Sequence, residues 1–381
     1  MAALGSGLTE DLRIGTVDGD ERLQFLRIRA VSVDPANGDV YVANAGSYSI
    51  RVFTARGAFV REIGRRGDGP GEFQSIVSLR IVADTIVVWD FSLRRVTAFR
   101  LDGALLATWP TVSPTSGRDD AAPIASVPGG WLVSNSMRTE GRWTPGMHVI
   151  YSTVVRRTPA AAPSQSVADL TGDTVVVLPN RESIAIQTPI FVSAGSPLFA
   201  PSAAFGVDAK GNVFVHRGAP YEITVHDARG NVVRRIAPPH APRAVTPQLI
   251  DEFRKRAKAY HDTVSNKGGE YAASYAVDMA RPGLKSPATL PPLGRMLIAG
   301  DGAVWVERID LVRDPVAREW SRGPAPATPT TWDRFNAAGA PQRPVELPPR
   351  FSPMFATAST VLGVQRDEDG VEFVVRYVVR Q

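Results

Sequence analysis

The strongest constraint on this chain is an internal repeat. The segment "PANGDVYVAN" around Tyr41 has five further copies: "VADTIVVWD" around Val87, "VPGGWLVSN" around Leu132, "DAKGNVFVH" around Phe214, "AGDGAVWVE" around Trp305 and "TASTVLGVQ" around Leu362. Each reads as a tight turn followed by a strand with β-branched or aromatic residues at period two. The first two spacings, 46 and 45 residues, match one four-stranded propeller blade. The later spacings, 82, 91 and 57, leave room for insertions.

A second signature follows four of the copies. Phe53, Phe99, His226 and Phe335 each lie four residues before a glycine: Gly57, Gly103, Gly230 and Gly339. That offset predicts a hairpin whose turn needs positive φ at the glycine. Each full unit is then strand, tight turn, strand, loop, strand, tight turn, strand. Sheets of this kind bury their faces when stacked radially, which leaves only short protected edges. The expected fold is all-β, a six-bladed β-propeller with a short helical insertion between blades four and five.

The stretch "VSVDPANGDVYVANAGSYSIRVFTARGAFVREIGRRGDGPGEF" resembles the NHL-type repeat of bacterial six-bladed β-propeller proteins. Within it, "GRRGDGPGEF", Gly64 to Phe73, is similar to the glycine-rich linker between blades of that family. "VLGVQRDEDGVEFVVRYVV" resembles the closing blade. The likeness covers most of residues 11–381 and is weakest between 121 and 195. It implies a fold and no particular function, because such scaffolds host binding modules and enzymes alike.

Residues 11–381 are expected to form one domain. Its blades run at about 25–64, 73–109, 120–195, 199–237, 290–348 and 350–380, with the helical insertion at 238–289. Residues 1–10 are expected to be a flexible segment. "DLRIGTV", Asp11 to Val17, alternates without a partner of its own, and is read as an outer strand that closes the ring on the last blade.

Composition narrows the function classes. The chain has no cysteine, which excludes disulfides, thiolate metal sites and a cysteine nucleophile. The net charge is +5, but the 43 basic residues are interspersed with 38 acidic ones. Nucleic-acid binders gather their charge on one face, so no nucleic-acid partner is expected. No apolar run reaches the length of a membrane span. The start carries no signal-peptide pattern, although a periplasmic or extracellular location is suspected from the resemblance. A monomer is expected.

The long connections, 136–147, 238–289 and 309–331, all belong to second-to-third loops or interblade links, which share one face. That face is the candidate binding face. In the longest insertion Thr246 can cap a helix and Pro247 suits its first position. Leu249, Phe253, Ala257, Tyr260 and Val264 form one apolar stripe. Arg254, Lys255, Arg256 and Lys258 fall elsewhere on the helix, as a solvated basic face.

The common nucleophile, zinc and phosphate-loop motifs are missing, so no catalytic residue is assigned. The position after each second strand is occupied by Asn44, Asp90, Asn135, Arg217, Arg308 and Gln365 or Arg366. In a ring these places converge near the axis and make a polar mouth. Arg217 and Arg308 suit a carboxylate or phosphate. Asn44, Asp90 and Asn135 have a second reading, as local caps of turns. Tyr48, Trp143 and Tyr221 stand near the same rim and are candidates for an aromatic lip. His216 and His226 are read as a structural pair.

The expected function is a non-enzymatic binding or scaffold propeller that recognises a protein or a small polar or anionic ligand on the insertion-bearing face. No cofactor and no metal site are expected. The alternative is a metal-dependent, lactonase-like hydrolase or lyase using the central pore, with Ca²⁺ held by oxygen ligands.

Overall fold

The structure is a computed structural model. It describes residues 3–4, 7–111, 123–127, 130–139, 146–157, 165–178, 192–193, 199, 203–265, 286–309 and 327–380. Two short strands lead the chain, β1 (Ala3–Leu4) and β2 (Leu8–Ile14). Sheet one holds β3 (Ile28–Val33), β4 (Val40–Asn44), β5 (Ser49–Phe53) and β6 (Phe59–Ile63). Sheet two holds β7 (Ile76–Val82), β8 (Thr85–Asp90), β9 (Arg95–Arg100) and β10 (Leu105–Pro110). Sheet three holds β11 (Pro123–Val127), β12 (Gly130–Thr139), β13 (Gly146–Arg157), β14 (Gln165–Leu178) and β15 (Val192–Ser193).

Sheet four holds β16 (Ala204–Val207), β17 (Val213–His216), β18 (Ile223–His226) and β19 (Val232–Ile236). A helix, α1 (Pro247–Ser265), follows. Sheet five holds β20 (Leu293–Ile298), β21 (Val304–Arg308), β22 (Thr330–Phe335) and β23 (Pro341–Leu347). Sheet six holds β24 (Phe351–Ala356), β25 (Thr360–Arg366) and β26 (Glu372–Val379), and β2 and β1 complete it from the other end of the chain. All pairings within the sheets are antiparallel.

The first strands touch in sequence, β3 to β7 to β11 to β16 to β20 to β24, and β24 returns to β3. Six sheets therefore stand around one axis as a β-propeller. Strand periodicity sorts the side chains. In β8, Ile86 and Val88 are buried against sheet one, while Val87 and Trp89 point the opposite way. Separate cores fill the junctions, such as Tyr41, Ile50 and Leu79 between sheets one and two, and Trp305, Trp332 and Phe351 between sheets five and six.

The ring is closed by β2 lying antiparallel on β26, from Leu8 opposite Val379 to Ile14 opposite Val374. A bulge between Glu10 and Leu12 switches its faces. Leu8 enters the core shared with sheet five, whereas Leu12 and Ile14 enter the core shared with sheet one. The closing strand starts three residues earlier than the alternation of 11–17 predicts. Residues 1–10 are thus not wholly loose, because Leu8–Glu10 lie in β2 and Ala3–Leu4 pair on it.

The turn register follows the repeat. Gly57, Gly103, Gly230 and Gly339 have φ of 87°, 97°, 87° and 86°. A Cβ on Gly103 would stand 3.1 Å from Ile63 on the outermost strand of sheet one, and one on Gly57 would stand 3.3 Å from Ile14. β2 therefore plays for sheet six the part that β6 plays for sheet one.

Residues 136–147 were expected as a loop on the binding face. Their described part is paired strand instead, with Thr139 opposite Ile150 and Met147 opposite Val176. The expected insertion at 309–331 lies mostly outside the described residues. Helix α1 begins where its capping signals place it, with Leu249 N donating to Thr246 Oγ1 at 3.2 Å. Leu249 and Phe253 pack on Phe199, Leu290 and Ile309. The insertion leaves and returns at one point, where Val245 N donates to Ala288 O and Leu290 N to Arg243 O. Among the described residues no helix is long and apolar enough to cross a membrane.

Candidate functional site at the insertion-bearing rim

The rim is the end of the ring where second strands finish and interblade links arrive. At Asn44 and Asp90 the repeat position acts as a staple. Asn44 Oδ1 accepts from Leu26 N at 2.9 Å, and its Nδ2 donates to Ser47 Oγ at 2.8 Å. Asp90 accepts from the amides of Gln74 and Ser75, both at 2.8 Å, and of Leu93 at 2.9 Å. Both side chains are buried. In sheet six Gln365 Nε2 donates to Pro349 O at 2.8 Å. All three hold the residue two before the first strand of their sheet. A short polar side chain suits this work because a buried amide without a partner is costly.

Arg308 belongs to a different arrangement. Its Nε donates to Asp333 Oδ2 at 3.2 Å and its Nη2 to Oδ1. The Tyr221 hydroxyl donates to Asp333 Oδ2 at 2.6 Å, which ties sheet four to sheet five. Burial, then that carboxylate, push the Tyr221 phenol up, so it stays a donor. The His240 ring lies 5.3 Å from the Tyr221 ring. Arg308 keeps a 48% exposed side chain above a nearly buried Asp333.

The preceding residue of β21, Glu307, is buried and held by Arg295 through Nε at 2.7 Å and Nη2 at 2.9 Å. Arg295 also lies over the Trp332 ring at 5.5 Å. His216 is buried, with Nε2 2.7 Å from Gly294 O and Nδ1 accepting from Gly218 N at 3.1 Å. Nε2 therefore carries the proton, and burial lowers the ring's pKa to about 4. His226 contacts Thr224 and Gly230 O instead, so the two histidines serve separate structural roles rather than acting as a pair.

Arg217 is exposed and has no hydrogen-bond or ionic partner among the described residues. Tyr48 has φ of 57° and receives the Arg66 guanidinium over its ring at 5.2 Å. Asn135 lies within β12, with its side chain outside the described set, and Trp143 lies outside the described residues altogether. The polar mouth inferred from the repeat thus divides: Asn44, Asp90 and Gln365 are engaged in folding, Arg308 is joined to Tyr221 through Asp333, and Arg217 stays open.

Sequence reasoning missed the rim of sheets one and two. Leu26 and Phe91 are 61% and 63% exposed there. Arg27, exposed, sits in the left-handed region at φ 57°. Arg29 and Val77 occupy bulges in β3 and β7, which push their side chains off the ladder. Arg27 and Arg29 have no carboxylate partner among the described residues. The repeat hides these positions, because the copies align on the second strands, whereas the bulges sit at the start of the first strands and break their alternation. Among the described residues no group of three or more His, Asp or Glu side chains is placed to hold a metal ion.

Residues 23–110, the first two sheets, match the family model DUF5128, described as a 6-bladed beta-propeller. No curated protein matches the sequence. Among solved structures, a member of the DUF4221 family from Bacteroides vulgatus is 8% identical, with 97% of this chain and 98% of that chain covered and a TM-score of 0.51. A Bacteroides fragilis protein described as a candidate for export is 11% identical over 98% and 96%, with a TM-score of 0.49. Virginiamycin B lyase from Staphylococcus aureus is 12% identical over 97% and 98%, with a TM-score of 0.40. These likenesses concern the fold.

Proposed function

We propose that this chain is a binding propeller whose insertion-bearing rim recognises an acidic protein segment. The carrying observation is that Arg27, Arg29 and Arg217 have no carboxylate partner among the described residues, while Leu26 and Phe91 stand exposed on the same rim. Sheets one and four face each other across the ring, so guanidinium groups approach the mouth from opposite sides. Arg recognises carboxylates through a planar fork, and an exposed apolar side chain supplies contact area. Arg308, with one flank open beside Tyr221, and the apolar rim positions extend the same surface. Asn135 and Trp143, near it in sequence register, belong to this reading. The repeats are taken as NHL-type on their likeness, and a location in the cell envelope or outside the cell goes with a cysteine-free chain; fractionation of the producing cells tests that location.

The experiment is calorimetric titration with a peptide alternating Glu and Leu, beside its Lys and Leu counterpart. Binding of the acidic peptide alone, weakened about tenfold by Arg217→Ala or Arg27→Gly, supports the reading. Arg27→Gly is informative because glycine tolerates φ of 57°, so folding is kept or improved. Equal binding of both peptides, or none, sinks it.

A further inference from the structure

A cavity of about 630 Å³ lies at the closing seam and reaches the rim of sheet six, where Gln365 and Arg366 line it. Its size is that of small-molecule sites. One wall is β2, with Glu10 and Arg13. The opposite wall is the link Pro348–Arg350 that leads from sheet five into sheet six, and Phe373 and Tyr377 of β26 complete it. Both ends of the chain thus meet around one space.

The charges in it are unequally engaged. Arg13 is held by Glu10 at 2.7 and 2.8 Å and rests over the Phe373 ring at 5.3 Å. Arg366 is held by Glu372 through Nε at 3.1 Å and Nη2 at 2.6 Å. Asp367 Oδ1 accepts the amides of Asp369 and Val371 in its own turn. Arg366 keeps a buried Nη1 without a partner among the described residues. Arg350 is loosely matched, to Glu368 at 3.6 Å, and the Glu368 side chain is 86% exposed. Such a pair adds little. The Tyr377 hydroxyl makes only a 3.4 Å bond to Gln365 Oε1. Burial holds that phenol up at about 12, so it remains a donor at neutral pH.

We infer that the seam is a second site, which takes a compact monocarboxylate with an apolar ring or branched body. The carboxylate pairs with Arg350, and the body lies against Phe373, Pro348 and Pro349. A neutral ligand would leave the guanidinium unmatched, and a small anion without a body would leave the ring and prolines wet. Because the walls come from both termini, an occupied site joins the closing strand to the link and stabilises the ring by mass action. The cavity shares no lining residue with the surface of Arg27, Arg29 and Arg217.

The test is saturation-transfer NMR and thermal melting with phenylacetate, beside benzyl alcohol and acetate. Expected are saturation of the phenylacetate ring protons and a melting midpoint that rises with phenylacetate, with each comparator weaker by about tenfold. Arg350→Gly should bring phenylacetate down to the level of the alcohol. It should leave the unliganded midpoint equal or higher, since Arg350 has φ of 58°. Arg217→Ala should leave phenylacetate binding unchanged, which separates this site from the surface proposed around Arg217. No binding, equal binding of acid and alcohol, or full binding by Arg350→Gly overturns the inference.

Discussion

Single residues in this protein are placed by backbone needs before any ligand. Gly103 has φ of 97° and little room beside Ile63. Gly103→Val is therefore expected to lower stability by about 1 kcal/mol or more, from backbone strain and the clash together. Denaturant titration checks this, and an unchanged midpoint would refute the turn register. His216 supplies a pH test. Its ring has a pKa of about 4 when folded, against the ordinary 6.5 that it regains on unfolding. Above 6.5 the ring is neutral in both states and its contribution is intact. As pH falls from 6.5 toward about 4, the unfolded chain takes up the proton and the folded one does not. Stability should then fall, by at most about 1.4 kcal/mol per pH unit from this group. Melts of the wild type and His216→Gln across that window check it. Equal slopes would show that the ring is not buried neutral.

At the scale of elements, β2 does more than add an edge. Its Leu8, Leu12 and Ile14 are 0%, 6% and 2% exposed and enter cores on both sides of sheet six. Each buried aliphatic side chain is worth about 1.5–3 kcal/mol, so removing residues 1–14 should cost several kcal/mol and bare the edge of β26. Size-exclusion chromatography and melting of the truncated chain check this. A monomer with an unchanged midpoint would make the strand dispensable. The turn glycines and the helix start were legible because each rests on a local rule: a fixed offset to a positive φ, and Thr246 before Pro247. The start of β2 was not, because the bulge at Asp11 breaks the alternation that would reveal Leu8. The strand character of 136–139 and 146–147 was not legible either, since a strand that runs on past its repeat position has no signal apart from the length of the connection. Asn44 and Asp90 were legible as polar positions. Their duty as caps rather than ligands depends on where the incoming link runs, which only the folded ring decides.

The whole molecule presents two unlike ends. At one, hairpin turns such as those at Gly57 and Gly103 are short and packed on the neighbouring sheet. At the other, links, helix α1 and bulged first strands gather Arg27, Arg29 and Arg217 with exposed Leu26 and Phe91. Guanidinium groups in water attract an acidic partner through a field that salt screens over about 8 Å at physiological ionic strength. Association at the rim should therefore weaken with added salt. The alignment found Arg217 and Arg308 there, but the bulge at Arg29 and the left-handed residue at Arg27 emerge only when β3 pairs with β4. The most direct measurement is mass-resolved arginine modification by phenylglyoxal, with and without the Glu and Leu peptide. Protection of Arg27, Arg29, Arg217 and the half-exposed Arg308, with the exposed Arg56 in the hairpin turn at the opposite end modified as before, is the predicted result. Protection of Arg56 to the same extent, or no protection at the rim under saturating peptide, would contradict the assignment of this face as the binding face.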